Sequence, residues 1–388
     1  MTMTPEELLA GPRGRRLCLE WARRCEELSR GVEDEHPLIT ALVATDRAAD
    51  PGTAAMLVAV ERRWWLPGPL ARVQARRAAH RAADTCPPSS TELAEVLERV
   101  SLQEPDSVQT LRALADTTAC ARYWQPPDGQ DLSAALPELR GPLLRVAETI
   151  LSSPAAAWWD SGTDRDAQWA QTFVEIGERP LFPERDVREV LDEWRAGVEP
   201  SEQWFRTWYD EHPGEDIGGS WWSIAGFELT STTRAVPGGP PFGLWCVEDS
   251  MDPDPVLTQP VAIPAGARVL EIHGEADWVD LCRSHPLDVT WSRRCCWSQF
   301  TDWVGHWVIP DWRAVGLEWD AVHLTVSAWL SSAGRALDLG EDRASVIAGW
   351  DPDRTFWLCD VGPEDEVVEW RREQSGHSGG AEAWHRAT

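Results

Sequence analysis

The chain contains no lysine and no asparagine, so all 36 of its Lys/Arg positions are arginine. Mechanisms that need a lysine general base or a lysine Schiff base are thereby excluded. Tyrosine and phenylalanine are scarce, at two and seven residues against 25 tryptophans. Lys, Asn, Tyr and Phe use AT-rich codons, whereas Trp, Arg, Ala, Gly and Pro use GC-rich ones. The pattern therefore reads as a high-GC coding sequence in which Trp fills aromatic core positions, and not as an aromatic binding surface. Positive charge is also short: a formal net charge of −28 repels phosphate backbones and argues against DNA or RNA as a direct partner. No apolar run approaches the length of a membrane span, and the N-terminal MTMTPEELLAG lacks the apolar core of a signal peptide. Nine cysteines, an odd number with no C-x-x-C, suit a reducing compartment better than a disulfide framework, so a cytoplasmic location is expected. There is no Walker loop, no helix-opening G-x-G-x-x-G and no H-E-x-x-H. The usual nucleotide and metalloprotease signatures are missing with them.

What is present divides the chain in two. Residues 1–211 read as helices punctuated by proline, an all-α domain. In TELAEVLERV, Leu93, Val96, Leu97 and Val100 recur at helical spacing behind a Ser89/Glu92 capping box. Val187, Val190, Leu191 and Trp194 repeat the spacing, and Leu17, Trp21, Cys25 and Leu28 form another stripe. From HPGEDIGGSWW onward the pattern changes to short runs between Gly/Pro punctuation. Strands are expected at 227–234, 242–248, 268–272, 319–325 and 355–360, with helices around 275–284, 311–318 and 326–335. Residues 212–361 are thus expected to form an α+β domain, a small split mixed sheet with flanking helices. Residues 362–388, acidic and then Gly/Ser-rich, are expected to be a frayed tail.

Five local patterns invite a functional reading. In FELTSTTR, strand alternation puts Glu228, Thr230, Thr232 and Arg234 on one face. That polar face fits either solvent or the floor of a polar cleft, and an arginine at its end can hold a phosphate bidentately. In AGWDPDRTFWLCD, Asp351 and Asp353 precede a strand. An Asp-rich turn is the plain reading, and a carboxylate at the mouth of a sheet, in phase with Thr355 and Trp357, is the functional one. In WDAVHLT, the odd spacing sends Asp320 and His323 to opposite faces; His323 shares its face with Ala321 and Thr325 and reads either as a bonded core histidine or as part of a site. Cys282, His285, Cys295, Cys296 and His306 supply enough soft ligands for zinc, but adjacent cysteines seldom both ligate one ion, and buried thiols are expected instead. Arg72, Arg76, Arg77 and Arg81 form a basic strip that fits either an interface with the acidic second half or docking of an acidic protein partner.

The segments GSWWS, TTRAVPG, GLWCVEDS, RVLEI, IPDW, DAVHLT and AGWDPDRTFWL, spanning about 219–360, resemble an uncharacterised family of high-GC bacterial proteins. The order of elements also resembles the ADP-ribosyltransferase fold. That resemblance implies NAD as substrate, for ADP-ribosyl transfer or NAD hydrolysis. Arg234 would grip the NAD ribose or phosphates, with Thr232 and His323 on the same binding face. Trp245 would wall the nicotinamide, and Asp353 would stand where the family has its catalytic glutamate. The carboxylate there stabilises an oxocarbenium-like transition state. Two departures stand out: Asp is one methylene shorter than Glu, and Leu244–Trp245–Cys246 replaces the family's Ser-Thr-Ser. A non-catalytic binding or scaffold protein that kept the cleft without the chemistry is the alternative.

Overall fold

Side-chain caps open several of the helices in the first part of the chain. Thr4 and Ser89 close capping boxes with Glu7 and Glu92, and Asp106 and Asp128 accept from the backbone one turn on. The computed structural model describes residues 3–30, 34–49, 87–173, 180–182, 184–226, 228–236, 239–250, 255–372 and 384–387. The basic strip at Arg72, Arg76, Arg77 and Arg81 lies outside the described residues. The helices are α1 (Pro5–Leu8), α2 (Pro12–Ser29), α3 (Pro37–Ala49), α4 (Ser90–Glu98), α5 (Ser107–Ala119), α6 (Gly129–Ala134) and α7 (Arg140–Leu151). Helix α2 buries charge as well as Leu17 and Trp21. Arg13 pairs with Asp131, Arg16 with Glu20 and Asp128 at 2.9 Å, and Arg23 and Arg24 both reach Asp116. Unpaired, such buried guanidinium groups would cost several kcal/mol each, on the order of 3–5, so the network ties α2, α5 and α6 to one arrangement.

The first part is not wholly helical. Strand β1 (Gln168–Phe173) lies inside the range expected to be all-α and sits between two other strands of the main sheet. Its sequence, QWAQTF, carries Gln168 and Gln171 where an apolar alternation would have announced a strand. A 25-residue helix follows, α8 (Val187–Glu211), which packs on later helices of the second part.

The second part runs β2 (Ser231–Arg234), β3 (Val256–Ala262), β4 (Val269–Ile272), α9 (Glu275–Ser284), β5 (Pro286–Asp288), α10 (Thr290–Thr301), β6 (His306–Pro310), α11 (Trp312–Glu318), β7 (Ala321–Leu324), α12 (Val326–Ser332), β8 (Leu337–Gly340), β9 (Arg343–Ser345), β10 (Arg354–Trp357), β11 (Gly362–Pro363), β12 (Val368–Arg372) and β13 (Trp384–Arg386). The main sheet has the order β13-β12-β3-β1-β2-β10-β7-β4, with β11 beside β3; a smaller sheet has the order β5-β6-β9-β8. Within the main sheet the β4–β7 pair is parallel and the others antiparallel, so the architecture is α+β with mixed sheets. The strand expected at 242–248 is absent: Phe242–Leu244 form a single 3₁₀ turn closed by Trp245 N–H on the Phe242 carbonyl at 2.9 Å. Pro240 and Pro241, immediately before it, have fixed φ and no N–H to give to a ladder. The expectation of a frayed tail also fails for its described residues. β12 pairs with β3 and β13 with β12, while Trp370 is buried and donates to Thr258 at 2.9 Å.

Eight tryptophans are among the largest fully buried side chains: Trp21, Trp278, Trp297, Trp307, Trp312, Trp329, Trp350 and Trp357. Most find a partner for the indole N–H, such as Trp312 on the Ser223 carbonyl and Trp350 on the Arg354 carbonyl. Buried indoles without partners would forfeit part of their packing gain, and this core largely avoids that loss. One apolar cluster runs from Leu8 through Trp159 and Val190 to Leu358, so both parts share a core. Among the described residues no helix is long and apolar enough to cross a membrane.

Candidate functional site

The register of the main sheet assembles a polar row. Ala170 on β1 faces Thr232 on β2, which faces Thr355 on β10; Thr355 faces His323 on β7, and His323 faces Glu271 on β4. One step away, Gln168 faces Arg234. Directly paired residues share a sheet face, so Gln168, Thr232, Arg234, Thr355, His323 and Glu271 all lie on one side. The opposite side presents Phe356, Val322 and Leu324 to the main core. A sheet this deeply placed is ordinarily apolar on both faces, and an uninterrupted polar row needs every member bonded to persist.

Nearly every member is bonded. The Asp353 carboxylate accepts from Arg234 Nε at 2.7 Å and from the Arg234 backbone N–H at 3.1 Å. His323 Nδ1 meets Thr355 Oγ1 at 2.9 Å, and its Nε2 stands 3.7 Å from Asp353 Oδ1. Thr232 Oγ1 donates to Gln168 Oε1 at 2.5 Å and accepts from Trp357 Nε1 at 2.9 Å. The Gln168 amide nitrogen has no partner among the described residues. His323 is fully buried and Asp353 is 1% exposed. Asp353 also adopts a left-handed backbone with φ of 56°, a conformation Asp tolerates better than most residues but at a cost of order 1 kcal/mol.

Burial sets the protonation chemistry. It lifts the Asp353 carboxyl to about 6, and the adjacent Arg234 guanidinium opposes the rise. Burial, then Arg234 and His273, hold the His323 imidazole down to about 3, so the ring is neutral across the physiological range. Burial also raises Glu271, and the Thr163 backbone N–H counters it. Asp353 and His323 form a buried acid and neutral-base pair with strongly displaced ionisation, an arrangement more common at functional sites than elsewhere.

A short segment, residues 158–166, covers the row. Trp158 lies under the Arg234 guanidinium, 4.6 Å from ring centre to Cζ. Arg234 Nη2 donates to the Gly162 carbonyl at 2.8 Å, and the Thr163 N–H donates to Glu271 at 3.1 Å. Gly162 sits so close that a Cβ there would meet the Glu271 carboxylate at 2.8 Å.

Arg234, Asp353, His323 and Thr232, each singled out from sequence, thus come together on one face. Trp245 does not join them through any hydrogen bond or ring contact among the described residues; its indole packs against the main core with Nε1 unpartnered. Asp351 belongs to a second buried network, accepting from the Glu248 N–H at 2.7 Å and pairing with Arg354 at 2.7 Å. Asp320 holds Arg268 at a strand edge, on the other side of β7 from His323. The five zinc-type residues do not converge. Cys282 faces Ser345, His285 lies near Glu318 and His306 near Asp288, and no group of three or more ligands among the described residues could hold a metal. An open cleft of about 330 Å³ is lined by Glu184, Arg185, Asp186, Val187, Asp360 and Val361, away from the row. Sequence reading missed Gln168, Thr355's role, Glu271 and Gly162, because pairing register is what brings them together. No family model, no curated protein and no solved structure matches the chain.

Proposed function

We propose that the polar row is the substrate face of an ADP-ribosyl-transferring or NAD-hydrolysing site. The observation that carries this reading is the convergence of Arg234 and His323 on the Asp353 carboxylate, at 2.7 and 3.7 Å, on one sheet face. In this reading Arg234 holds the ribose or phosphates, and Thr232 and His323 bond ribose hydroxyls. The bond between nicotinamide and ribose C1′ breaks with its electron pair leaving on nicotinamide. The Asp353 carboxylate stabilises the cationic ribose until a nucleophile attacks C1′ and gives up its proton. Arg234 and Asp353 neutralise each other in the closed arrangement, so substrate must exchange with that pair.

The competing reading is a non-catalytic binding or scaffold protein. One observation favours it: Arg234 is already engaged by Asp353 and by the Gly162 carbonyl, and Asp353 is 1% exposed. There the row would be an internal latch between the helical part and the sheet. Calorimetric titration of NAD into the full chain separates the two. The enzyme reading predicts saturable binding that Arg234→Gln weakens at least ten-fold, with the variant's fold checked by its thermal melt. No binding at millimolar NAD, either to the folded chain or to a folded Arg165→Ala variant whose covering segment has lost its bond to the Ala267 carbonyl, overturns it in favour of the latch.

A further inference from the structure

We propose that residues 160–166 are an autoinhibitory cap that opens as a local unit, with Trp159 as its fixed hinge anchor. The inference rests on the reading of the row as a substrate face and adds how access to it is controlled. Of the side chains in 158–166 only Trp159 is buried, while Ser161, Arg165 and Asp166 are exposed. Trp159 stays moored through its carbonyl, which accepts from the Ser327 N–H at 3.2 Å.

Beyond that mooring the cap is held by a few polar contacts. They are Arg234 Nη2 on the Gly162 and Ser161 carbonyls at 2.8 and 3.4 Å, Thr163 N–H on Glu271 at 3.1 Å, Arg165 on the Ala267 carbonyl at 3.0 Å, and the Met3 N–H on Asp160 at 3.2 Å. Residues 160–166 carry no apolar side chain to resist lifting, and Trp158, packed on Phe242, stays with the anchor. Segments with few buried apolar contacts open well below the free energy of global unfolding. Contacts of this number and kind favour the closed form by about a thousand-fold or more. The row lies directly beneath: Arg234 and Glu271 each bond a cap atom and belong to the row itself. Ligand affinity is then reduced by the closed-to-open ratio, and weakening the cap tightens binding by the same factor.

The test is amide hydrogen exchange of the full-length chain, resolved by peptide. The proposal predicts that the Thr163 amide and its neighbours exchange at least ten-fold faster than β7 and β10, with little dependence on low denaturant. Glu271→Ala and, independently, Arg165→Ala should each speed cap exchange about ten-fold without a matching rise in β7 and β10. Cap amides that exchange in step with β7 and β10 in all three proteins overturn the proposal, because the segment then opens only when the protein unfolds. Repeating the measurement in millimolar NAD separates the cap from the reading beneath it. Faster cap exchange with NAD supports both, since bound substrate holds the open form. A cap that opens but ignores NAD keeps the gate and discards NAD as what passes it.

Discussion

Replacing Asp353 with Asn should change how stability depends on pH, and the slope can be worked from the site. Folding raises the Asp353 carboxyl from 3.8 to about 6 and lowers His323 from 6.5 to about 3. A raised carboxyl contributes stability that is fully present below 3.8 and is lost as pH rises through 6. A depressed imidazole contributes stability that is present above 6.5 and is lost as pH falls toward 3. Between about pH 6 and pH 4 the two oppose each other: the folded protein holds the proton on Asp353, and the unfolded chain holds one on His323. Each contributes about 1.4 kcal/mol per pH unit, so the wild-type cluster is nearly flat there. Asp353→Asn removes only the stabilising half on acidification. The variant should then lose about 1.4 kcal/mol per unit relative to wild type, close to 3 kcal/mol over two units. Urea denaturation of both proteins at pH 6, 5 and 4 reads the difference, and all other titrating groups cancel in it. Parallel stability curves would refute the assignment of a raised carboxyl at Asp353.

Arg234→Ala should destabilise the fold by about 3–5 kcal/mol by leaving Asp353 buried without its cation. The Arg234→Ala/Asp353→Asn double variant should recover part of that loss, and a double-mutant cycle with no coupling would contradict the pairing. Ser89→Ala should cost about 1 kcal/mol through the lost cap of α4, read as a lower melting temperature. Trp350, fully buried against Trp278, Trp312 and Phe356, should cost about 3–5 kcal/mol when cut to Ala, measured by chemical denaturation.

Local signals were readable where they depended on a few adjacent residues. The Ser89/Glu92 capping box, helix α9 at Glu275–Ser284 and strands β4, β7 and β10 all follow from caps and short-range patterning. Tryptophan as core material follows from composition, and the buried indoles bear it out. Arg234 and Asp353 were identified singly, from strand parity and turn position. Their contact depends on β2 pairing with β10, a long-range register that no local pattern specifies. β1 escaped notice because its inward positions include glutamine, which serves the polar row and erases the apolar alternation of a strand. The expected strand at 242–248 misled for the opposite reason. Phe242, Leu244 and Cys246 are buried at strand-like spacing, yet Pro240 and Pro241 turn the backbone into a 3₁₀ turn. Leu28 continued a helical stripe by count but is 55% exposed on the last turn of α2.

The central claim is that Arg234, Asp353 and His323 form a reacting face and not a latch alone. Nicotinamide release from NAD by the full-length chain tests it most directly, measured for wild type, Asp353→Ala and Arg234→Gln after each is shown to be folded, and repeated in the Arg165→Ala background that loosens the cap. The account predicts release by wild type that rises with Arg165→Ala and is abolished by Asp353→Ala in both backgrounds. Release that survives Asp353→Ala, or none from any folded variant even with the cap loosened, would contradict it.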